Sequence, residues 1–116
     1  MRLSELQQLF ARDTVKLFEF IHSLNYSFTY GEAMRSIEQA EIYAKEGKGI
    51  IDSLHCKRLA IDINIFDEQG NYLDKTESYK TFGTYWESLS PVNRWGGKFT
   101  RADGNHFERN ERPSIS

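Results

Sequence analysis

One octapeptide limits the fold more than any other part of the chain: Leu59-Ala60-Ile61-Asp62-Ile63-Asn64-Ile65-Phe66. Ile61, Ile63 and Ile65 fall on one face and Ala60, Asp62 and Asn64 on the other. This is the two-residue period of a β-strand with one side in a core. A helix would scatter the three isoleucines around its circumference. The opposite face is small and polar, which is unusual for a sheet merely covered by helices. Ala60 leaves room beside Asp62 for something to approach.

The flanking segments supply partners for that strand. Ser4 with Gln7 reads as a capping box. Leu6, Leu9, Phe10, Val15, Leu17, Phe18, Ile21 and Leu24 follow at mostly helical spacing, so residues 4–24 are expected to form one helix, or two broken near Asp13. Tyr26 to Tyr30 alternates ring and hydroxyl, a strand pattern that Gly31 ends. A second capping box, Ser36 with Gln39, opens a helix that Gly47 and Gly49 close. Asp67-Glu68-Gln69-Gly70-Asn71 is a turn, and Tyr72-Leu73 is expected to begin the partner strand. Thr76 to Leu89 reads as a helix with Tyr79, Phe82, Trp86 and Leu89 on one side, weakened slightly by Gly83 and stopped at Ser90-Pro91. Trp95-Gly96-Gly97 is a tight corner, after which Phe99 is expected to resume a strand. Asn105 to Glu108 is the last segment with a committed apolar residue, Phe107.

The expected architecture is α+β: one small domain over residues 1–116, an antiparallel sheet flanked by helices. Residues 1–25 form its helical start and 109–116 a polar tail. At 116 residues the chain can bury one core but not two.

Composition narrows the class. Net charge is −2 and the pI about 5.9, which argues against a nucleic-acid footprint of clustered Lys and Arg. A single cysteine, Cys56, excludes an internal disulfide and is read as a small buried thiol. No stretch approaches the roughly 20 apolar residues of a membrane span. Met1-Arg2-Leu3-Ser4-Glu5 has no apolar run, so no secretory signal is expected, and a substrate outside the cytoplasm would require another protein to deliver this one.

The chemistry gathers around two segments. Ser53-Leu54-His55 precedes the strand, and His55 lies seven residues before Asp62. Fully extended, that spacing would separate them by roughly 23 Å. Metal ligands sit about 2 Å from a shared zinc. Residues 56–59 must therefore bend back if both residues bind one ion. Asp103 and His106 are three apart, and Gly104-Asn105 between them favours a close turn. Glu108, two residues past His106, shares its face in an extended chain and could orient it. We read His55, Asp62 and His106 as ligands of one metal ion, with zinc the expected cofactor, and Asp103 as the base for the water that the ion activates. Three ligands with an open fourth place mark a catalytic zinc. Two histidines and an aspartate also describe a non-haem iron triad, and unrelated surface histidines are the plain alternative. Arg35, at a strand-to-helix junction, is a candidate oxyanion or carboxylate clamp. His22 is read as an exposed helix-end histidine.

At these residues the chain resembles a known family. Ser53-x-His55, Ala60-x-Asp62 and Asp103-x-x-His106-Phe107-Glu108 are similar to the motifs of the M15 zinc peptidases, the D-alanyl-D-alanine peptidases and the L-alanyl-D-glutamate peptidases of phage endolysins. The resemblance implies zinc on His55, Asp62 and His106 and a general base at Asp103. It implies a fold of the DD-peptidase and Hedgehog type. An aspartate at 103 with His-Phe-Glu following, and the Trp95-Gly96-Gly97 corner, resemble the endolysin branch. Arg35 followed by Gln39 is similar to the family's upstream substrate-binding motif. Arg58 departs from the pattern, standing where glycine is common.

The activity so implied is zinc-dependent hydrolysis of peptidoglycan stem peptides at the L-Ala–D-Glu bond. Such a protein is expected to be a monomer that waits in the host cytoplasm until a holin opens the membrane. A D-Ala-D-Ala carboxypeptidase with the same zinc site is the first alternative. A non-catalytic, metal-binding module that recognises the cell wall is the second.

Overall fold

The computed structural model describes residues 1–31 and 57–113. The predicted α+β class is correct: among the described residues a four-stranded antiparallel sheet shares one core with two helices. The elements are helix α1 (Leu3–Ser23), strand β1 (Ser27–Tyr30), strand β2 (Ala60–Phe66), a 3-10 turn (Thr76–Tyr79) running into helix α2 (Lys80–Ser88), strand β3 (Asn93–Trp95), a second 3-10 turn (Gly96–Lys98) and strand β4 (His106–Arg109). The strand order is β1-β2-β4-β3. The last strand therefore lies inside the sheet, between β2 and β3.

Helix α1 is continuous and does not break at Asp13. Asp13 is buried and accepts a hydrogen bond from Asn93 Nδ2 at 3.0 Å, a partner 80 residues away. The Ser4–Gln7 capping box does not form. The cap lies two residues earlier, at Arg2, whose backbone N–H donates to Glu5 Oε1 at 3.0 Å, and Gln7 instead donates to the carbonyl of Lys57. Asn25 ends the helix at φ 63, with its own N–H on His22 O and the Tyr26 N–H on Ile21 O. That paired closure needs a left-handed residue, which asparagine tolerates well.

The isoleucine face behaves as its spacing requires. Ile61, Ile63 and Ile65 are buried with Leu6, Phe10, Leu17 and Ile21 of α1, and with Phe82, Trp86 and Phe107. Trp86 is fully buried, edge-on to Phe10 and Phe107, and donates its indole N–H to the carbonyl of Glu108 at 3.0 Å.

Two expected strands are absent. Tyr72-Leu73 makes only an isolated bridge from Tyr72 to Phe66, and the true neighbours of β2 are β1 and β4. Phe99 does not resume a strand: the pairing segment lies on the other side of the glycine corner, at Asn93–Trp95. The helix expected over 36–44 lies outside the described residues.

The site's support comes from Trp95. Its ring lies so close to Gly83 and Gly97 that a Cβ on either would fall within 2.2 Å of an indole carbon. Gly83, a weak helix residue by propensity, is there because α2 must admit an indole against its backbone. The Trp95 Nε1–H donates to the Gly104 carbonyl at 2.7 Å.

Candidate metal centre

Strands β2 and β4 pair with Asp62 directly opposite His106 and Ala60 opposite Glu108, while β3 places Arg94 opposite Glu108. Alternation then sets Ala60, Asp62, His106, Glu108 and Arg94 on the sheet face away from the isoleucines. The polar side of the octapeptide is one wall of the site.

The third group arrives from the loop before β4. Asp103 N donates to Gly96 O at 2.9 Å, and His106 N donates to Asp103 O at 3.2 Å, so the 103–106 segment folds back over the glycine corner. One ligand atom each from Asp62, Asp103 and His106 lies within 4.8 Å of the others. This is the convergence that the spacing of Asp103 and His106 anticipated. His106 is buried, Asp62 half-buried and Asp103 exposed, which leaves one side of the cluster open to a substrate.

Both nitrogens of His106 are engaged. Nδ1 lies 3.0 Å from Asp62 Oδ1, and Nε2 lies 2.7 Å from Glu108 Oε1. Burial alone would push the imidazole pKa down. The hydrogen bonds to Asp62 and Glu108, with the charges of both, outweigh it and hold the pKa at about 9. Burial likewise raises the Glu108 carboxyl pKa, but its bonds to His106 and Arg94 win and leave it below the usual range. The cluster therefore favours positive charge at this point, whether a proton or a cation. Its donors, imidazole nitrogen and carboxylate oxygen, suit zinc.

Ser53, His55, Arg35 and Gln39 lie outside the described residues. Within the segment expected to bend, Arg58 sits at φ 57, a left-handed backbone where glycine is more comfortable. The sequence reading missed Arg94, Trp95 as a tether, and Phe99, whose ring centroid lies 5.6 Å from that of His106. Arg94 stands next to the glycine corner, so reading Asn93-Arg94-Trp95 as a strand would have set it on the His106 face. Next to Asp103, a polar cleft of about 280 Å3 runs between Tyr72–Thr76 and Ala102–Asn105, with Asp74 and Lys75 on its wall.

With this geometry in hand, comparisons with known proteins place the chain. A family profile described as D-alanyl-D-alanine carboxypeptidase matches residues 46–109, more than half of the sequence. The chain belongs to the M15 peptidase family. Among solved structures it is similar to the Serratia marcescens L-Ala D-Glu endopeptidase ChiX, with a TM-score of 0.69 at 20% identity, over 94% of this chain and 86% of that one. At that identity the likeness establishes the fold. No curated protein sequence gave a match.

Proposed function

We propose that this protein is a zinc-dependent peptidase that hydrolyses peptidoglycan stem peptides, and that its bond is L-Ala–D-Glu, as in a phage endolysin. The observation that carries the reading is the meeting of Asp62, Asp103 and His106 within 4.8 Å on the sheet face opposite the isoleucines. The family supports peptidase chemistry, and a solved L-Ala D-Glu endopeptidase has a similar fold.

His55, Asp62 and His106 would hold the ion. Zinc, when bound, acts as a Lewis acid on the scissile carbonyl and brings the pKa of water near 7. Asp103 is the general base: exposed at the mouth of the cluster, it takes the proton of the attacking water and returns it to the departing amine. Its backbone is fixed by Gly96 and by the Trp95–Gly104 hydrogen bond, so the carboxylate is aimed before substrate arrives. Arg35 would stabilise the developing oxyanion, and Ser53 and Gln39 would contact the peptide. Asp74 and Lys75 offer charges of both signs beside Asp103, a fit for a stem peptide that carries free amino and carboxyl groups. No described helix is long and apolar enough to cross a membrane. Access to the wall through a holin, a monomeric state and a wait in the host cytoplasm complete the proposal.

The test is digestion of purified muropeptides followed by mass analysis, with and without a chelator. New N-terminal D-Glu that disappears with chelator supports the reading. Released D-Ala would instead assign the carboxypeptidase alternative. Zinc binding with no cleavage of either bond would leave the non-catalytic wall-binding module.

A further inference from the structure

We infer that Arg94 is a positioning residue for the metal centre, acting through Glu108 on His106. The inference rests on the reading of His106 as a metal ligand.

Arg94 and Glu108 are opposite each other across β3 and β4. The guanidinium places both Nε, at 3.0 Å, and Nη2, at 2.7 Å, on a single oxygen, Glu108 Oε2. The other oxygen, Oε1, is left for His106 Nε2 at 2.7 Å. The Glu108 side chain is only 6% exposed, so its charge needs a close partner. Arg94 provides one while dividing the work of the two oxygens. Glu108 Oε1, an acceptor, takes the Nε2 edge of the ring and leaves Nδ1, 3.0 Å from Asp62 Oδ1, as the nitrogen that would face an ion. The guanidinium also lies 5.2 Å from the Phe99 ring centroid, and that ring packs on His106. The imidazole is thus held at its Nε2 edge by a carboxylate and along its ring by an aromatic, both in contact with the same arginine. Arg94 itself is half exposed, with a side chain 49% accessible, and can be replaced without opening the core.

Outer partners of this kind are worth about 10–100-fold in metal affinity. The experiment is a competition titration of zinc against a chromophoric chelator, at a temperature where circular dichroism shows every variant folded. Arg94→Met is expected to bind zinc at least about ten-fold more weakly than the wild type, and Arg94→Lys to recover part of the loss. Glu108→Gln should lose a similar amount, and adding Arg94→Met to it should cost little more, because one residue acts through the other. Zinc affinity within two-fold of wild type in Arg94→Met would overturn the inference, as would fully additive losses in the double variant. If the wild type binds no zinc, the metal reading fails and takes this inference with it, an outcome distinct from a wild type that binds and an Arg94 variant that binds equally well.

Discussion

Gly96→Ala is a single-methyl perturbation aimed at the site from below. A Cβ at this position would lie 2.3 Å from the Asp103 carbonyl oxygen and 2.9 Å from His106 Cβ. An unstrained contact needs about 3.5 Å, so the carbonyl must retreat by about 1 Å. It cannot do so alone, because Asp103 N is bonded to Gly96 O and Asp103 O to His106 N. The movement is passed to both functional side chains. Misplacement of about 1 Å can lower turnover by about 100-fold. The overpacking costs about 1–3 kcal/mol of stability. Two assays separate these effects: zinc affinity and muropeptide cleavage on folded protein, and thermal unfolding. Gly70→Ala is the control, since Gly70 has φ +82 and a methyl there would meet nothing within 4 Å. It should lower stability by about 1 kcal/mol through backbone strain and leave zinc and turnover alone. If Gly96→Ala keeps wild-type zinc affinity and turnover, the corner does not position the loop and the reasoning fails.

Other expectations follow from single groups. Tyr79 is 2% exposed, and burial first, with its neighbour Tyr72, raises its phenol pKa to about 12 despite the hydrogen bond from Ile65 N–H. Its folded value lies above the ordinary 10, so its contribution is constant below pH 10 and is lost as pH rises towards 12. Tyr79→Phe should lose about 1–3 kcal/mol at neutral pH, from the orphaned Ile65 N–H, and unfold less steeply with alkali in a denaturant series. Arg58→Gly relieves a left-handed backbone and should raise the unfolding midpoint in urea by the equivalent of about 1 kcal/mol. Asp103→Asn should keep its fold and bound zinc while kcat for stem-peptide cleavage falls by about 10²–10⁴-fold; unchanged cleavage would remove Asp103 from the role of base.

Much of this was legible along the chain, and the limits have physical reasons. β2 was readable because burial on one face writes a period of two directly into the residues. The approach of Asp103 to His106 was readable because Gly104-Asn105 between them favours a close turn. Whether the first helix breaks at Asp13 was left open because its partner, Asn93, is 80 residues away and no local pattern encodes it. Gly83 looked like a defect in α2 until Trp95 filled the space it leaves. Arg94 went unread because its work depends on the β3–β4 register, a property of two strands together.

The strand order β1-β2-β4-β3 also has a consequence in time. During synthesis β2 and its Asp62 emerge early, but the neighbour that carries His106 is made 44 residues later and must enter between strands already present. An unfinished polypeptide on the ribosome has the first acid and lacks the imidazole opposite it. The cluster of Asp62, Asp103 and His106 is therefore complete only when the final strand has taken its place beside β2.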